Sequence, residues 1–582
     1  MKTKLTILTF LLLNILTYSE IRYVSPQGNN TAPFLSWATA SHTIQGCINV
    51  SSPGDTIYVG NGVYKEVVTM TKGLALIGSG IDSCIIDTRE LATETDFVAV
   101  TTRPYCTFEG FYLIVSNQNL GVGVLYRSSL FSGEPGFIAN NKIVNASIGI
   151  WLVNLDNGYV RNNILIHSNN GYRGIRTEAF ENAQAIIEGN YITVDNGING
   201  IAAAIGGKPI LRNNVIIGGK GVHSVAISGG ANTLLVCNNL ILNWKGYAGI
   251  VHGYFNENSI NNLIIGDNEN TGIWIGRNTK LINNNIQNFN SGISSQQPVN
   301  PPQDYIQFNN TWQNGVKYTN FTPDSTNISV DPMFVNEDSL DFRLQMFSPL
   351  IDAGDPEILD KDGSRSDIGL FGGPYGESYK YQDYAPKPPK NLTAEMNENE
   401  VTLNWLYNTE ADFSHYRVYR DTVPNFIYDT TKIIAEVKDT TIYKDKIRTG
   451  RNVYYKITAM DNQGNQSAAS EEVSVISVGV EKPKLIANDY KLFQNYPNPF
   501  NPSTMISYRL KENSRVRIVL YSTTGEKVEE IINKHQEKGY YEINYNARKR
   551  GLSSGIYILR MEVKDENNIP RYTDAVKMIL VK

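Results

Sequence analysis

Short apolar runs alternate with Asn- and Gly-rich breaks through the middle of this chain. The runs are rich in Ile and Val, and β-branched side chains favour extended backbone. None is long enough, or spaced at a period of 3.6, to form a helix. Half of them follow an Asn-led break: Asn140-Asn141-Lys142-Ile143, Asn162-Asn163-Ile164-Leu165, Gly189-Asn190-Tyr191-Ile192 and Asn213-Asn214-Val215-Ile216. Asn238-Asn239-Leu240-Ile241, Asn261-Asn262-Leu263-Ile264, Asn283-Asn284-Asn285-Ile286 and Asn309-Asn310-Thr311-Trp312 continue the series. Their second positions are 141, 163, 190, 214, 239, 262, 284 and 310. Between them lie runs opening Gly149-Ile150, Gly174-Ile175, Gly200-Ile201, Ser224-Val225, Gly249-Ile250, Gly272-Ile273 and Gly292-Ile293.

A repeat in the low-to-mid twenties means stacked units rather than one closed core. Leucine-rich repeats share this period, but their spaced leucines are missing. Two or more short strands per period predict a right-handed parallel β-helix. A single coil cannot bury its apolar face, so neighbouring coils complete the core. Asn tolerates the left-handed backbone of a sharp corner, and its amide can bond the backbone or the Asn one coil away. A ligand site does not recur at every coil, so the Asn series reads as scaffold. The predicted fold is all-β: this β-helix followed by two β-sandwich domains, the sandwiches being what the family resemblances of the C-terminal part imply.

The flanks add family resemblances. Tyr23-Val24-Ser25, Ser41-His42-Thr43-Ile44-Gln45, Pro53-Gly54-Asp55-Thr56-Ile57-Tyr58-Val59 and Gly62-Val63-Tyr64-Lys65-Glu66 resemble the entry of pectin-lyase-like β-helix proteins. That resemblance implies a short capping helix over His42 to Val50, with His42 in the cap. Asp331-Pro332-Met333-Phe334, Asp341-Phe342-Arg343-Leu344, Ser348 to Gly354 and Asp367 to Gly372 resemble the exit segment that follows such helices in bacterial surface proteins. Val401-Thr402-Leu403-Asn404-Trp405, His415 to Arg420 and Tyr455 to Asp461 resemble a fibronectin type III module, which implies a seven-stranded sandwich. Leu492-Phe493-Gln494-Asn495-Tyr496-Pro497-Asn498-Pro499-Phe500-Asn501-Pro502 resembles the opening of a type IX secretion C-terminal sorting domain. Gly555-Ile556-Tyr557 and the closing Lys577 to Lys582 follow in that family's order. The expected boundaries are a leader at 1–19, the β-helix at 20–330 and an exit segment at 331–376. A linker at 377–390, a fibronectin-like module at 391–478, a linker at 479–490 and the sorting domain at 491–582 complete the chain.

Lys2 and Lys4, the apolar stretch Leu5 to Leu16 and Thr17-Tyr18-Ser19 read as a secretory signal, too short to span a membrane. No later segment qualifies as a span. The resemblance implies export through the periplasm to the outer-membrane surface or the medium, with the type IX secretion machinery as a partner. The net charge of −5 gives no basic footprint for nucleic acid. The spacing of Cys84 and Cys106 is about one coil, but both read as buried free thiols, as cysteine commonly is.

Candidate chemistry comes from strand parity. If each Ile of the Gly-Ile strands points inward, the next residue points outward. The outward row then reads Trp151, Arg176, Ala202, Ala226, Val251, Trp274 and Ser294, with Glu178 two residues beyond Arg176 and Tyr254 and Arg277 nearby. Trp151, Arg176, Trp274, Arg277 and Tyr254 are the candidate carbohydrate-binding residues: aromatic rings stack on sugar faces, and Arg pairs with acidic sugars. Arg176 and Glu178 are the catalytic candidates for a polysaccharide lyase or glycoside hydrolase, though no acid cluster adjoins them. His252 is expected to point inward. Asp360, Asp362 and Asp367 offer hard oxygen ligands for Ca²⁺, with turn formation as the alternative, and no other cofactor is indicated. Three readings stand: a polysaccharide- or cell-surface-glycan-binding β-helix, a divergent lyase or hydrolase, and a structural adhesin or stalk.

Overall fold

The computed structural model describes residues 19–91, 97–116, 121–128, 135–167, 173–179, 183–195, 197–204, 206–221, 223–253, 256–295, 304–397, 399–447, 452–476 and 489–581. All of the expected leader but Ser19 lies outside them, as does Tyr254. The chain forms two compact units, Met1–Asp383 and Tyr384–Lys582.

The first unit is a parallel β-helix. Each coil passes through three strands, and like strands of successive coils pair in parallel. Among the described residues the first sheet has twelve strands and the second and third have eleven each. The stacking puts the same kind of residue at the same height in every coil. Ile150, Ile175, Ile201, Ile227, Ile250, Ile273 and Ile293 are direct partners along the third sheet, all at 0% exposure. Burying one such side chain contributes about 1.5–3 kcal/mol, and no coil gains it without its neighbours.

The Asn corner joins the first sheet to the second. The leading Asn is left-handed at 140, 162, 213, 238, 261 and 283, with φ between 52 and 57°. The second Asn turns inward and is fully buried. Its Oδ1 accepts from the backbone N–H and Nδ2 of the Asn one coil earlier, as in Asn190 to Asn214 at 3.1 and 2.9 Å. The ladder runs Asn141, Asn163, Asn190, Asn214, Asn239, Asn262, Asn284, Asn309 and Asn327. Position 310, read from the sequence as the ladder residue of its coil, is one place off. Phe308 takes the left-handed corner there, so Asn309 enters the ladder. Asn327 extends it beyond the recognised repeat.

The entry is closed by the helix Ile44–Val50. Thr43 caps it, Glu66 accepts from the N–H groups of Ile44 and Gln45 at 2.8 Å each, and Ile44, Cys47 and Ile48 cover the core. His42 bonds Gly28 O at 2.6 Å, a cap contact. All four cysteines are free and buried. Burial pushes the Cys84 thiol up to about 11 and Cys237 up to about 12, away from reactivity.

After the last coil the exit segment doubles back over the second sheet. Phe334, Phe342, Leu344, Leu350 and Ile368 pack on Leu242 and Leu263. The leading Asn column holds this strap: Asn238 Nδ2 donates to Leu370 O and Gly372 O, and Asn261 Nδ2 to Asp367 O at 2.7 Å. Residues 379–382, which by composition read as linker, pack here too. Tyr379 Oη accepts from Leu344 N at 2.7 Å, and its ring lies edge-on to Phe371.

In the second unit, residues 393–476 form sheets of three and four antiparallel strands around Trp405, Tyr416 and Tyr455, the seven-stranded sandwich expected. Residues 491–580 form a second pair of such sheets around Ile506, Val516, Ile518 and Met561. Among the described residues no helix is long and apolar enough to cross a membrane.

Candidate site on the third sheet

The third sheet presents its outer face along the solenoid, and direct pairing fixes the row. Trp151 stands beside Arg176, then Ala202, Ser228, Val251, Trp274 and Ser294. Ser228 holds the place that the sequence pattern assigned to Ala226. The run there opens at Ala226-Ile227, not Ser224-Val225, because Ala226 occupies the tight position that Gly fills in neighbouring coils. A Cβ on Gly200 would stand only 2.7 Å from Ala226 O. Ala226 itself is fully buried in the core cluster and does not face outward, while the other members of the row keep their places.

Trp151 and Trp274 are both half-buried and stand five strands apart, about 24 Å at the usual strand spacing. Each has a planar partner. The Arg176 guanidinium lies over the Trp151 ring at 4.9 Å. Tyr247, which the sequence reading missed, stacks on Trp274 at 6.0 Å and 6°. It sits in the turn just before the strand Ala248–Val251, where the Gly-Ile pattern gives no guidance. Between the two stations Ala202, Ser228 and Val251 leave the surface low.

The two stations differ in their surroundings. Trp151 adjoins an outer apolar cluster of Val122, Leu125 and Ile148. Arg176 is ion-paired to Glu178, with both side chains 26% exposed. Arg173 opens the same strand, Arg173–Glu178, and is held below the usual arginine range, first by burial and then by Arg176, with Glu178 opposing. Arg277 is exposed beyond the Trp274 strand. Among the described residues, Trp151 Nε1, Arg176 Nε and Trp274 Nε1 are buried and have no hydrogen-bond partner. Buried donors of this kind are costly unless a partner arrives.

As chemistry, this face offers stacking surfaces and donors. A guanidinium carries five N–H donors and no acceptor, so Arg176, already paired, is arranged to hold an anion rather than to take a proton. Asp195, just after the second-sheet strand Tyr191–Val194, is paired with Lys220 at 3.1 Å. His252 is buried as expected, inside the core. Its Nε2 bonds Ser259 Oγ at 2.9 Å and its Nδ1 lies 3.3 Å from Glu257 Oε2, with all three residues shut away from solvent.

The three acids of the exit segment serve backbone donors. Asp362 Oδ1 accepts from Ser364 N and Oγ at 3.0 and 2.6 Å. Asp360 accepts from Asp367 N at 3.1 Å and from Gly373 N. Asp367 accepts from Asp352 N at 3.0 Å and Tyr381 Oη at 2.8 Å. Burial raises Asp367 to about 6, against the lowering effect of those two donors. The carboxylate oxygens of the three do not gather within 4.8 Å of one another.

Comparison with known proteins places parts of the chain. Residues 494–572 match the family described as secretion system C-terminal sorting domain. This is a type IX sorting domain, and it marks the chain for export to the cell surface or the extracellular space. The amylopullulanase of Thermoanaerobacter thermohydrosulfuricus is 36% identical over 89 residues, 15% of this chain and 6% of that protein. The amylopullulanase of Thermoanaerobacterium thermosulfurigenes is 32% identical over 88 residues, 15% of this chain and 4% of that protein. The chain thus spans less than a tenth of the length of these relatives. Among solved structures, pectate lyase Pel9A is similar at 15% identity and a TM-score of 0.35, covering 61% of this chain and 96% of that one. An Fn3-like protein from Clostridium thermocellum is similar at 28% identity and a TM-score of 0.15, covering 17% of this chain and 99% of that one.

Proposed function

We propose that this exported β-helix binds an extended polysaccharide along the outer face of its third sheet. The observation that carries the reading is the pair of half-buried indoles, Trp151 and Trp274. Each is backed by a planar group, and small side chains lie between them. An exposed aromatic face is apolar and can stack on the C–H face of a sugar. Arg176 and Arg173 add cationic donors at one end, so a glycan carboxylate would compete with Glu178 for Arg176. The amylopullulanase likeness fits a carbohydrate setting without naming the glycan.

The full chain on a glycan array, followed by titration of the hits, tests this. Trp274→Ala should weaken binding about tenfold or more, the loss expected of one stacked ring. Absence of binding to every glycan would refute the reading and leave a structural stalk. The same array glycans, incubated with and without Ca²⁺, test for catalysis. Unsaturated products absorbing in the ultraviolet, and lost in Arg176→Ala, would establish a lyase instead.

A further inference from the structure

We infer that the outer face of the first sheet carries a second polysaccharide site, suited to an uncharged glycan lying along the solenoid. It involves none of the third-sheet residues. Near the entry, Tyr23 packs on Trp37 at 4.6 Å and on Tyr58 at 6.3 Å. Trp37 and Tyr58 remain 50% and 40% exposed. Tyr58 is a strand partner of Ile77, which pairs with Glu109 and through it reaches the strand Phe137–Ala139. There Phe137 stacks on Tyr159 at 6.0 Å and 9°. The two aromatic groups are three strands apart, about 14 Å.

Ile77 and Glu109 lie in the gap, and charged groups continue the track beyond it. Glu109 accepts from Asn140 Nδ2 at 2.6 Å, Arg161 is exposed, and Arg212 Nε donates to Glu188 at 2.7 Å. Acid and base alternate along this row and cancel, so it offers no net attraction to a uronate. The rings are also interrupted by charge, unlike the charge-depleted core of a protein interface. Isolated ring faces flanked by donors and acceptors match a sugar, whose faces are C–H and whose edges are O–H.

The exit strap defines where this surface is open. Asn213 donates to Tyr375 O, and the Tyr375 ring lies 4.7 Å from the Arg212 guanidinium. Among the described residues no strap contact lies on the entry side of that point. The first-sheet face from Tyr23 to Glu188 is therefore free of it.

The test uses the full chain and four uncharged probes: an α-glucan, a β-glucan, a xylan and a mannan. Affinity is compared among wild type, Tyr58→Ala/Tyr159→Ala, Tyr58→Phe/Tyr159→Phe and Trp274→Ala. The Ala pair should bind about tenfold more weakly, the Phe pair should match wild type, and Trp274→Ala should leave this binding in place. If the Ala pair lowers the unfolding midpoint, Tyr58→Gln alone, at an exposed position, replaces it and should still weaken binding. Affinity of the Ala pair within twofold of wild type overturns the inference, as does failure of all four probes to bind. Loss of binding in Trp274→Ala alone overturns it while sparing the third-sheet reading. A change of oligomeric state in the Ala pair assigns the face to a protein contact and also overturns it.

Discussion

Asn239 shows what one ladder residue does. Its Nδ2 donates to Leu211 O at 2.9 Å and Asn262 Oδ1 at 3.0 Å, while its Oδ1 accepts from Asn214 N and Nδ2 at 3.1 and 2.9 Å. Asn239→Ala strands the Asn214 donors and Leu211 O in a dry corner. The expected loss is about 3 kcal/mol, read by denaturant unfolding of the first unit's transition. Asn239→Asp should cost at least as much, because it sets a carboxylate against two acceptors. Asp367 gives a pH signature of opposite sense to ordinary acid denaturation. Burial raises its folded-state value to about 6 from an ordinary 3.8. The folded state therefore holds a proton that the unfolded state lacks between these values. Its contribution is complete below 3.8 and is lost as pH rises through about 6. Asp367→Asn should flatten this fall, compared as unfolding midpoints at pH 4.5 and 7 (about a unit inside and outside that window). An unchanged pH slope in the variant would remove Asp367 from the account. The inner Asn residues were legible in the sequence because their period is regular. The buried state of Asp367 was not, since the strap contacts that enclose it arise from folding back.

At the scale of elements, strands pair through period and parity, whereas the strap docks through particular side chains. The row Trp151, Arg176, Ala202, Val251, Trp274 and Ser294 was readable because parity survives changes in loop length. Ala226 was misplaced because the glycine that marks the run elsewhere is absent there. Tyr247 and Arg173 fell outside the motif and entered only through stacking and packing. A Cβ on Gly200 meets Ala226 O and Ile216 Cγ2, both at 2.7 Å. Gly200→Ala should thus spread adjacent coils and destabilise the first unit by about 1–3 kcal/mol, measured in the same unfolding assay. The strap depends on Asn238 and Asn261, so Asn238→Ala/Asn261→Ala should leave the coils paired but expose residues 366–373. Limited proteolysis should then cut in that stretch before any cut within the coils; equal resistance in wild type and variant would refute the clamp.

For the whole molecule, the sorting domain makes a prediction independent of any glycan. A chain ending at 488 should still leave the cytoplasm but accumulate in the periplasm, followed by fractionation in a bacterium with type IX secretion. Surface delivery of the truncated chain would show that the tail is dispensable. The repeat period, the inward columns, the two sandwiches and the export tail were set by the sequence alone. Each is written in local spacing or in a contiguous motif, and stacking merely repeats it. Which outer faces stay open was decided only in three dimensions. The exit segment crosses back over the second sheet and stops near Arg212, and no local pattern encodes where a chain returns. That choice rests on apolar contacts and Asn amides contributed by coils more than a hundred residues earlier in the chain.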